Sequence, residues 1–327
     1  MSYISLLLPA FHLNTTDISD IIKQCIIQFD LTSDKFELLE ITDKKNNINY
    51  GVKLKESNLS LKSIMDSSKK IILITGCNKG IGYTLVENII KQKININIIF
   101  TSRKEKLGTD SMNKLISKYP SSKSQLIYHQ LDITNKDSIM SIINWIKSKF
   151  KKIDILFNNA GVYNIPREDV IKTNVFGTFN ITKMFLENDI INNNGKIISV
   201  GSSMGSFSSS GNHRNEFKNA STIDDLTNLA NRYLKENWGG GAYSISKLII
   251  HLFAKILAQT DEIRKKNIGV YSMDPGWCRT DMGGSGAPLP PEHGAEIGLF
   301  LIKLQDGIIP NLQGQYFNSP SPRPASY

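Results

Sequence analysis

Two short segments of this chain hold residues whose types and spacing could carry out a reaction together. The segment Ala242–Lys247 reads AYSISK, and it sets the phenol of Tyr243 four residues before the ammonium of Lys247. Side chains four residues apart share one face of a helix, so the two groups should be neighbours. The segment Thr75–Gly82 reads TGCNKGIG, a turn that can hold the phosphates of a dinucleotide. A dinucleotide beside a phenol and an ammonium group can move a hydride to or from a carbonyl, which predicts an oxidoreductase.

The glycine turn follows a continuous apolar, β-branched run, as expected of a strand buried on both faces. Gly76 permits the tight turn, Gly80 lets the backbone approach the pyrophosphate, and Gly82 allows close contact between helix and strand. The helix that begins near Ile81 directs its N–H groups at the phosphates. Asn78 lies in the same turn and is a further predicted cofactor contact. A strand before the glycines and a helix after them make the signal a strong one.

The charges near the end of the second strand select the dinucleotide. NAD sites usually place an Asp or Glu there to bind the ribose 2′-hydroxyl. This chain has the neutral Ser102 followed by Arg103, and Lys79 lies inside the glycine turn. A guanidinium and an ammonium suit a 2′-phosphate, so the sequence predicts NADPH. The alternative is that both cations simply face solvent.

Two further segments are placed to complete the cofactor site. Asp132 and Ile133 end the third strand, where a carboxylate can accept a hydrogen bond from the adenine amino group. The segment NNAG ends the fourth strand, with two amides to brace the sheet and two small residues that leave room for the adenosine ribose: Asn158, Asn159, Ala160 and Gly161.

Seven motifs in a fixed order give the chain a resemblance to the short-chain dehydrogenase/reductase family, from about Lys70 to Phe317. They are TGCNKGIG, FTSR, HQLDI, NNAG, KTNVFGT, AYSISK and PGWCRTDM. The chain is similar in particular to the monomeric carbonyl reductases and their plant relatives, which share the long segment before the tyrosine. The resemblance implies reduction of an aldehyde, ketone or quinone by NADPH, with cofactor bound first.

The catalytic roles follow from the charge that forms on the carbonyl oxygen when a hydride reaches the carbon. Tyr243 is the candidate proton donor, and we expect Lys247 to lower the pKa of this phenol from about 10 by about two units. Ser202, at the end of the fifth strand, can donate a hydrogen bond to the developing oxyanion, and the adjacent Ser203 is the alternative. The resemblance also implies that Lys247 binds the nicotinamide ribose.

The resemblance assigns roles to two further motifs. Asn174 would hold a water that links Lys247 to solvent, the alternative being a packing or helix-kink residue. The segment Pro275–Met282 follows the sixth strand and is predicted to wrap the nicotinamide. Its candidate contacts are Pro275 and Gly276 at the bend, Cys278, Thr280 on the pyrophosphate or carboxamide, and Trp277 on the substrate. Asp274 departs from the family pattern, which usually has a small or neutral residue before Pro275.

Cys77 and Cys278 are interpreted as small packing residues rather than reactive thiols.

Strands must alternate with helices to position these residues, and from Lys69 onward the pattern does so. The predicted strands are Ile71–Thr75, Ile96–Ser102, Gln125–Asp132, Ile153–Asn159, Lys196–Ser202, Ile268–Gly276 and Gly314–Phe317. The predicted helices are one ending near Lys91, then Asp110–Lys118, Lys136–Phe150, Asp169–Leu186 and Tyr243–Ala258. This alternation predicts an α/β fold with a Rossmann-type, doubly wound parallel sheet of about seven strands, spanning residues 69–327.

One connection in this alternation is long. Residues 203–241 separate the fifth strand from the helix of Tyr243, and a helical pattern covers Thr222–Asn237. A long excursion at the carboxyl edge of a sheet predicts a substrate lid, with a plain surface insertion as the alternative. The same stretch could cover the helix surface through which related enzymes form dimers, so we expect a monomer.

Residues 1–68 form a separate small α+β module in this reading. A hairpin from YISLLL and FHL, a helix over Thr16–Phe29, and strands at FELLEIT and YGVKL give an order that resembles a ubiquitin-like β-grasp domain of the Ras-association type. The resemblance implies docking of a protein partner such as a small GTPase. A structural cap on the enzyme is the alternative.

The bulk composition limits the remaining classes of function. The chain has 327 residues and a formal charge of +9, with lysines scattered rather than clustered, which favours a solvated surface over a nucleic-acid face. Three distant cysteines, no secretory signal and no long apolar run predict a cytoplasmic protein without disulfides or membrane spans. The five histidines show no metal-ligand spacing, so we expect no metal. A sensory or partner-docking protein that binds NADPH without turnover is the alternative function.

Overall fold

The computed structural model describes residues 36–42, 48–54, 69–236, 238–321 and 323–325. The chain divides into two units, Met1–Asp66 and Ser67–Tyr327. In the first unit, strands β1 (Phe36–Thr42) and β2 (Ile48–Leu54) pair antiparallel, with Phe36 opposite Leu54. These strands coincide with the FELLEIT and YGVKL segments. The rest of the predicted β-grasp module lies outside the described residues.

The second unit is built on a seven-stranded sheet in the order β5-β4-β3-β6-β7-β8-β9, and every neighbouring pair is parallel. Its strands are β3 (Lys70–Ile74), β4 (Ile96–Ser102), β5 (Leu126–Gln130), β6 (Ile153–Asn158), β7 (Ile191–Val200), β8 (Gly269–Met273) and β9 (Tyr316–Phe317). The strand order reverses at β3, so a crevice opens beyond the carboxyl ends of β3 and β6. The predicted doubly wound parallel sheet is confirmed.

The helices cover both faces of this sheet. They are α1 (Gly80–Lys91), α2 (Glu105–Lys118), α3 (Lys136–Lys149), α4 (Arg167–Val170), α5 (Thr178–Glu187), α6 (Arg214–Asn219), α7 (Ile223–Lys235), α8 (Ala242–Leu257), α9 (Asp261–Lys266) and α10 (Pro291–Lys303). A π-helix, Ile171–Gly177, joins α4 to α5, and 3₁₀ turns span Pro120–Ser124 and Phe207–His213. The sequence reasoning placed the start of α2 five residues too late and missed α6, α9 and α10.

Alternation along each strand divides the apolar residues between two cores. In β3, Ile71 and Leu73 join the core beneath α3, α5 and α8. Ile72 and Ile74 join the core on the other face, beneath α1, α2 and α10. The sheet is therefore buried on both sides, and its carboxyl edge with the loops that follow is the place for a ligand.

Helix α10 was missed because its sequence is a weak helix former. It begins at Pro291 and contains Gly294 and Gly298, each of which costs roughly 1 kcal/mol relative to Ala. Tertiary packing explains both glycines. A Cβ at Gly294 would stand 2.5 Å from Pro275 Cβ, and one at Gly298 would stand 3.0 Å from the ring of Phe157. The glycines let α10 approach β6 and the loop after β8.

Candidate active site

The glycine turn joins β3 to α1 in the conformation that its glycines allow. Gly76 and Gly80 have φ values of 69° and 61°, which L-residues with side chains rarely adopt. A Cβ at Gly82 would overlap the side-chain amide of Asn159. Ile81 is the second residue of α1, so the first turn of this helix presents its unpaired N–H groups at the crevice.

The NNAG segment braces this turn. Asn159 Nδ2 donates hydrogen bonds to the carbonyls of Thr75 and Gly76, at 2.8 and 3.0 Å. Thr75 Oγ1 accepts from the backbone N–H groups of Asn159 and Ala160, at 2.9 and 2.8 Å. Asn158 is buried, and its Nδ2 donates to Thr182 Oγ1 at 3.0 Å, so its side chain braces the sheet rather than facing the crevice.

The two predicted phosphate cations lie on the surface at the end of β4 and in the glycine turn. Lys79 Nζ forms an exposed ion pair with Asp281 Oδ2 at 2.9 Å. Arg103 is exposed, and its backbone carbonyl accepts a hydrogen bond from Gln130 Nε2 at 3.0 Å. Ser102 is buried, and its hydroxyl donates to the carbonyl of Lys104 at 2.9 Å. The end of β4 therefore carries no carboxylate, whereas Lys79 already has one beside it.

The remaining predicted adenosine contacts lie in the turn after β5 and in the glycine turn. Asp132 Oδ1 accepts from the backbone N–H and the hydroxyl of Thr134, at 2.9 and 2.7 Å. Ile133 is buried, and its side chain would lie 2.9 Å from a Cβ at Gly177. The backbone carbonyl of Asn78 accepts from the Ser111 hydroxyl at 2.8 Å, which ties the glycine turn to α2.

Tyr243 is the second residue of α8, and its hydroxyl lies near the side chain of Ser202. Burial raises the pKa of Tyr243 to about 12; the neighbouring Ser202 side chain opposes this rise, whereas Asp274 and Tyr163 add to it. The expectation that Lys247 lowers this pKa is therefore not met in this structure. The physical reason is that the cost of burying a phenolate exceeds the stabilisation available to it.

Lys247 lies one turn further along α8 and is 5% exposed. Its Nζ donates to the carbonyl of Val200 at 2.7 Å and stands 5.4 Å from the centroid of the Tyr243 ring. Burial lowers the pKa of Lys247 to about 8, and the charge of Asp274 opposes that shift. A Cβ at Gly161 would stand 3.6 Å from this Nζ, so the ammonium lies where the NNAG segment meets the end of β7.

Asn174 lies in the π-helix and is buried. Its Oδ1 accepts from the backbone N–H of Val162 at 2.8 Å. Its Nδ2 donates to the Val162 carbonyl and to Ser246 Oγ, both at 3.0 Å. Asn174 thus joins the π-helix to the segment after β6 and to α8, and one lone pair of Oδ1 is left for a further donor.

Ser202 follows β7 in a tight turn. Its carbonyl accepts from the backbone N–H of Gly205 at 2.8 Å, and its Oγ accepts from the N–H of Met204 at 3.3 Å. A Cβ at Gly205 would stand 2.5 Å from the backbone of Lys247 and Leu248. The turn therefore lies directly on α8, and Ser202, rather than the exposed Ser203, is the serine that lowers the pKa of Tyr243.

The loop after β8 lies beside the glycine turn. Gly276 has a φ of 75°, and its N–H donates to Asp274 Oδ1 at 2.9 Å. Thr280 Cγ2 would stand 3.7 Å from a Cβ at Gly80, which places Thr280 at the phosphate end of the crevice. Trp277 is 60% exposed, with its Nε1 donating to the carbonyl of Gly283 at 2.8 Å.

The two described cysteines take packing positions. Cys278 is buried, and its Sγ donates to the carbonyl of Pro275 at 3.0 Å, which fixes the bend of that loop. Burial raises the pKa of both thiols. For Cys77 it raises the pKa to about 12. A thiol of this kind carries little thiolate, so neither side chain is a nucleophile in this structure.

Sequence reasoning missed two residues that contact the site. The Tyr163 ring packs edge-to-face on the Tyr243 ring, with centroids 5.0 Å apart. His251 is fully buried and contacts the backbone of Ser202. The spacing of Tyr243, Lys247 and His251, four residues each, was a usable signal, because it places all three on one face of α8.

Within the described part of the chain, no helix is long and apolar enough to cross a bilayer. The same residues contain no cluster of His, Cys, Asp and Glu side chains that could hold a metal ion.

Comparison with known proteins agrees with this geometry. The family model for short chain dehydrogenase matches residues 70–213. Carbonyl reductase [NADPH] 1 of Rattus norvegicus is 30% identical over 267 residues, covering 74% of this chain and 94% of that protein. The Mus musculus protein of the same name is 31% identical over 265 residues, covering 73% and 93%. The solved structure of salutaridine reductase from Papaver somniferum superposes with a TM-score of 0.67 at 24% identity, covering 76% of this chain and 99% of that one.

The chain belongs to the short-chain dehydrogenase family. The crevice at the end of β3 and the Ser202, Tyr243 and Lys247 group at the end of β7 lie on the same edge of its sheet.

Proposed function

We propose that this protein reduces aldehydes, ketones or quinones to alcohols with NADPH. The observation that carries the proposal is that the Tyr243 hydroxyl lies near the Ser202 side chain and beside the buried ammonium of Lys247. This group stands at the same sheet edge as a glycine turn shaped for a dinucleotide. The rat and mouse relatives are named as NADPH carbonyl reductases, which supports both the reaction and the cofactor.

NADPH, when bound, supplies the hydride that reduces the carbonyl carbon. As negative charge forms on the carbonyl oxygen, the Ser202 hydroxyl donates a hydrogen bond to it and the Tyr243 hydroxyl donates a proton. A pKa of about 12 keeps Tyr243 protonated at neutral pH, as a proton donor must be. The phenolate left behind is stabilised by Lys247, whose pKa of about 8 keeps its ammonium mostly charged at pH 7. The free lone pair of Asn174 Oδ1 can hold the water through which Tyr243 and Lys247 regain a proton.

The residues present fit the proposed cofactor. Close approach of a pyrophosphate needs a backbone without side chains, which Gly76 and Gly80 provide. Ser102 leaves the end of β4 without a carboxylate, and the adjacent Arg103 offers a guanidinium fork to a 2′-phosphate. Lys79 is the second cation, and it must exchange Asp281 for the phosphate to take part.

Two finer features complete the proposal: the protein is a monomer, and it works in the cytoplasm. Helix α7 buries Leu226, Leu229 and Tyr233 in the same core as α8. This packing supports the monomer, because it covers a surface of the helix that carries Tyr243. The described cysteines are free and buried, as suits a reducing compartment.

Residues 1–68 are proposed to be a separate module that docks a protein partner such as a small GTPase. The superposition on salutaridine reductase uses 76% of this chain and covers 99% of that protein. Residues 69–327 are long enough to supply the whole of the matched part. We expect the fragment 69–327 to bind NADPH and to turn over at the rate of the full chain. Loss of soluble expression or of turnover in this fragment would instead assign residues 1–68 a structural role.

The proposed function is tested by calorimetric titration with NADPH and NADH, followed by a turnover screen of aldehydes, ketones and quinones. The screen follows the loss of NADPH absorbance. We expect tighter binding of NADPH than of NADH, and turnover that Tyr243→Phe abolishes. Binding of NADPH without turnover of any compound would favour a sensory or partner-docking protein. The proximity of Ser202, Tyr243 and Lys247 argues against that alternative.

A further inference from the structure

His251 is a fully buried histidine that the proposed reaction does not use. It lies one helical turn beyond Lys247 on α8, with an exposed fraction of 0%. Burial lowers the pKa of His251 to about 4, so the imidazole is neutral at pH 7. A neutral imidazole has one donor and one acceptor nitrogen, and each requires a partner when the ring is buried.

Both ring nitrogens have partners, one in the turn that follows β7 and one on the neighbouring strand β8. His251 Nε2 lies 3.0 Å from the carbonyl oxygen and 3.3 Å from the backbone nitrogen of Ser202. His251 Nδ1 lies 3.0 Å from Ser272 Oγ on β8. If Nε2 carries the proton, the ring donates to the Ser202 carbonyl and accepts from the Ser272 hydroxyl. If Nδ1 carries it, the ring donates to the Ser272 hydroxyl and accepts from the Ser202 N–H. The ring therefore joins the backbone of Ser202 to β8.

The residue before Ser202 is shaped to admit this ring. A Cβ at Gly201 would overlap the imidazole of His251, so only glycine fits there. The Gly201 N–H donates to the Met273 carbonyl of β8 at 2.6 Å, which fixes the strand end on which the ring rests. On its other side the ring contacts Tyr316, with centroids 4.2 Å apart. The imidazole is thus held between β7, β8 and β9.

The carbonyl that His251 contacts belongs to the turn that aims the Ser202 hydroxyl. That carbonyl also accepts from the Gly205 N–H at 2.8 Å, which closes the turn, and Ser202 Oγ accepts from the Met204 N–H of the same turn at 3.3 Å. A shift of the Ser202 backbone would move Oγ relative to Tyr243. Misplacement of a catalytic group by about 1 Å can cost about 100-fold in rate.

We propose that His251 is a positioning residue, which holds the backbone of Ser202 so that its hydroxyl meets Tyr243 and the substrate oxygen. Gly201 is needed for the same placement, because its missing side chain leaves the space that the imidazole fills. The inference rests on the proposed carbonyl reduction.

The test is a double-mutant cycle on kcat with His251→Leu and Ser202→Ala. If His251 acts through Ser202, His251→Leu lowers kcat by about 10- to 100-fold in the wild type and by much less in the Ser202→Ala background. His251→Gln, which keeps a donor at similar reach, should recover most of the lost kcat. Gly201→Ala, which pushes against the ring, should lower kcat as His251→Leu does.

A matched control is Phe253→Leu, two residues along the same helix. Phe253 is buried and its ring stacks on Phe179 at 4.3 Å, so its loss reduces stability without a direct contact to the Ser202 turn. We expect a lower Tm and an unchanged kcat for this variant. If His251→Leu also lowered Tm and left kcat unchanged, the inference would be overturned and His251 would be a core residue.

The outcomes separate this inference from the proposed function. Equal effects of His251→Leu in the two backgrounds, with Ser202→Ala itself impaired, overturn the positioning role alone. If His251→Leu does not fold, Gly201→Ala takes its place in the same cycle and decides in the same way. Absence of wild-type turnover on every carbonyl compound overturns the proposed function and the positioning role together.

Discussion

Two buried lysines lie at opposite edges of the same sheet, and their surroundings differ in one respect. Lys196, at the amino-terminal edge, is 0% exposed; its Nζ donates to the carbonyls of Ile302 and Leu304 and lies 3.3 Å from Asp306 Oδ1. Lys247, at the carboxyl edge, donates to the carbonyl of Val200 and has no carboxylate within ion-pair distance among the described residues.

An ammonium has three hydrogens to donate, and the two lysines use them differently. Lys196 donates hydrogen bonds to the carbonyls at the end of α10 and pairs with Asp306, so all three of its N–H groups stabilise a helix terminus. Lys247 has donors to spare where a ligand oxygen would fit. Burial lowers the pKa of both lysines, so burial alone does not mark a functional group. What distinguishes Lys247 is that its ammonium keeps hydrogen-bond donors that the described part of the protein does not use.

The largest effect is expected at the carboxyl edge. Tyr243→Phe removes the proton donor and keeps the ring that packs on Tyr163. We predict that kcat falls by about 10²–10⁴-fold, because a positioned acid contributes about that much. NADPH affinity and Tm should stay near their wild-type values, measured by titration and thermal unfolding. A variant that keeps more than about a tenth of wild-type turnover would remove Tyr243 from its proposed role.

The second effect concerns the cofactor end of the same edge. Arg103→Glu with Lys79→Ala removes two cations and supplies an acceptor for a 2′-hydroxyl. We predict that the ratio of kcat/KM for NADPH to that for NADH falls by about 100-fold, the loss expected for one or two charge-assisted bonds. Lys106→Ala is the control, since this lysine pairs with Asp110 on the exposed face of α2. An unchanged ratio would show that neither cation recognises the 2′-phosphate.

At the opposite edge, Lys196→Met should give the reverse profile. It leaves the carbonyls at the end of α10 without their donor, and such a loss typically costs about 1–3 kcal/mol. We predict a lower free energy of unfolding in urea, with kcat of the folded enzyme unchanged. If Lys196→Met lowered kcat without lowering stability, the contrast between the two lysines would fail.

The smallest effect is the dependence of turnover on the charge of Lys247. The pKa of Lys247 is lowered from 10.5 to about 8, so its charge is lost as pH rises through about 8. We predict that kcat/KM for reduction declines above that pH, and that Lys247→Arg, whose charge persists, abolishes the decline. For stability the sign is opposite: a lowered lysine pKa destabilises the fold most at low pH, and the penalty is relieved between pH 8 and 10.5. A pH profile flat to pH 10 would place the titration elsewhere.

Much of the fold could be predicted from the sequence, because β-branched runs and glycine turns are local signals. All seven strands of the large sheet appear near their predicted positions, as do the glycine turn and the helix of Tyr243. Helix α10 escaped because Gly294 and Gly298 weaken its local signal, while its packing on Pro275 and Phe157 is tertiary. The start of α2 was missed for a related reason, since only Gly108 and Leu115 of that helix are buried.

The parts of the site that sequence could not predict depend on contacts between distant residues. Asp281 pairs with Lys79 across 202 positions, and no local pattern announces that pair. The pKa of Tyr243 is raised instead of lowered chiefly because the fold buries it, with smaller contributions from Asp274 and Tyr163. His251 was visible as a spacing, but its contact with Ser202 needed the fold.

The π-helix at Ile171–Gly177 has a consequence for the lengths that this segment can take. An α-helix turns about 100° per residue, and a π turn accommodates one residue more than an α turn would. Deleting one residue between Ile171 and Asn174 would restore a regular helix and turn Asn174 by about 100° away from Val162 and Ser246. A substitution at the exposed Lys172 leaves that register intact. The number of residues between Pro166 and Thr178, more than their identity, is therefore what sequence change must preserve.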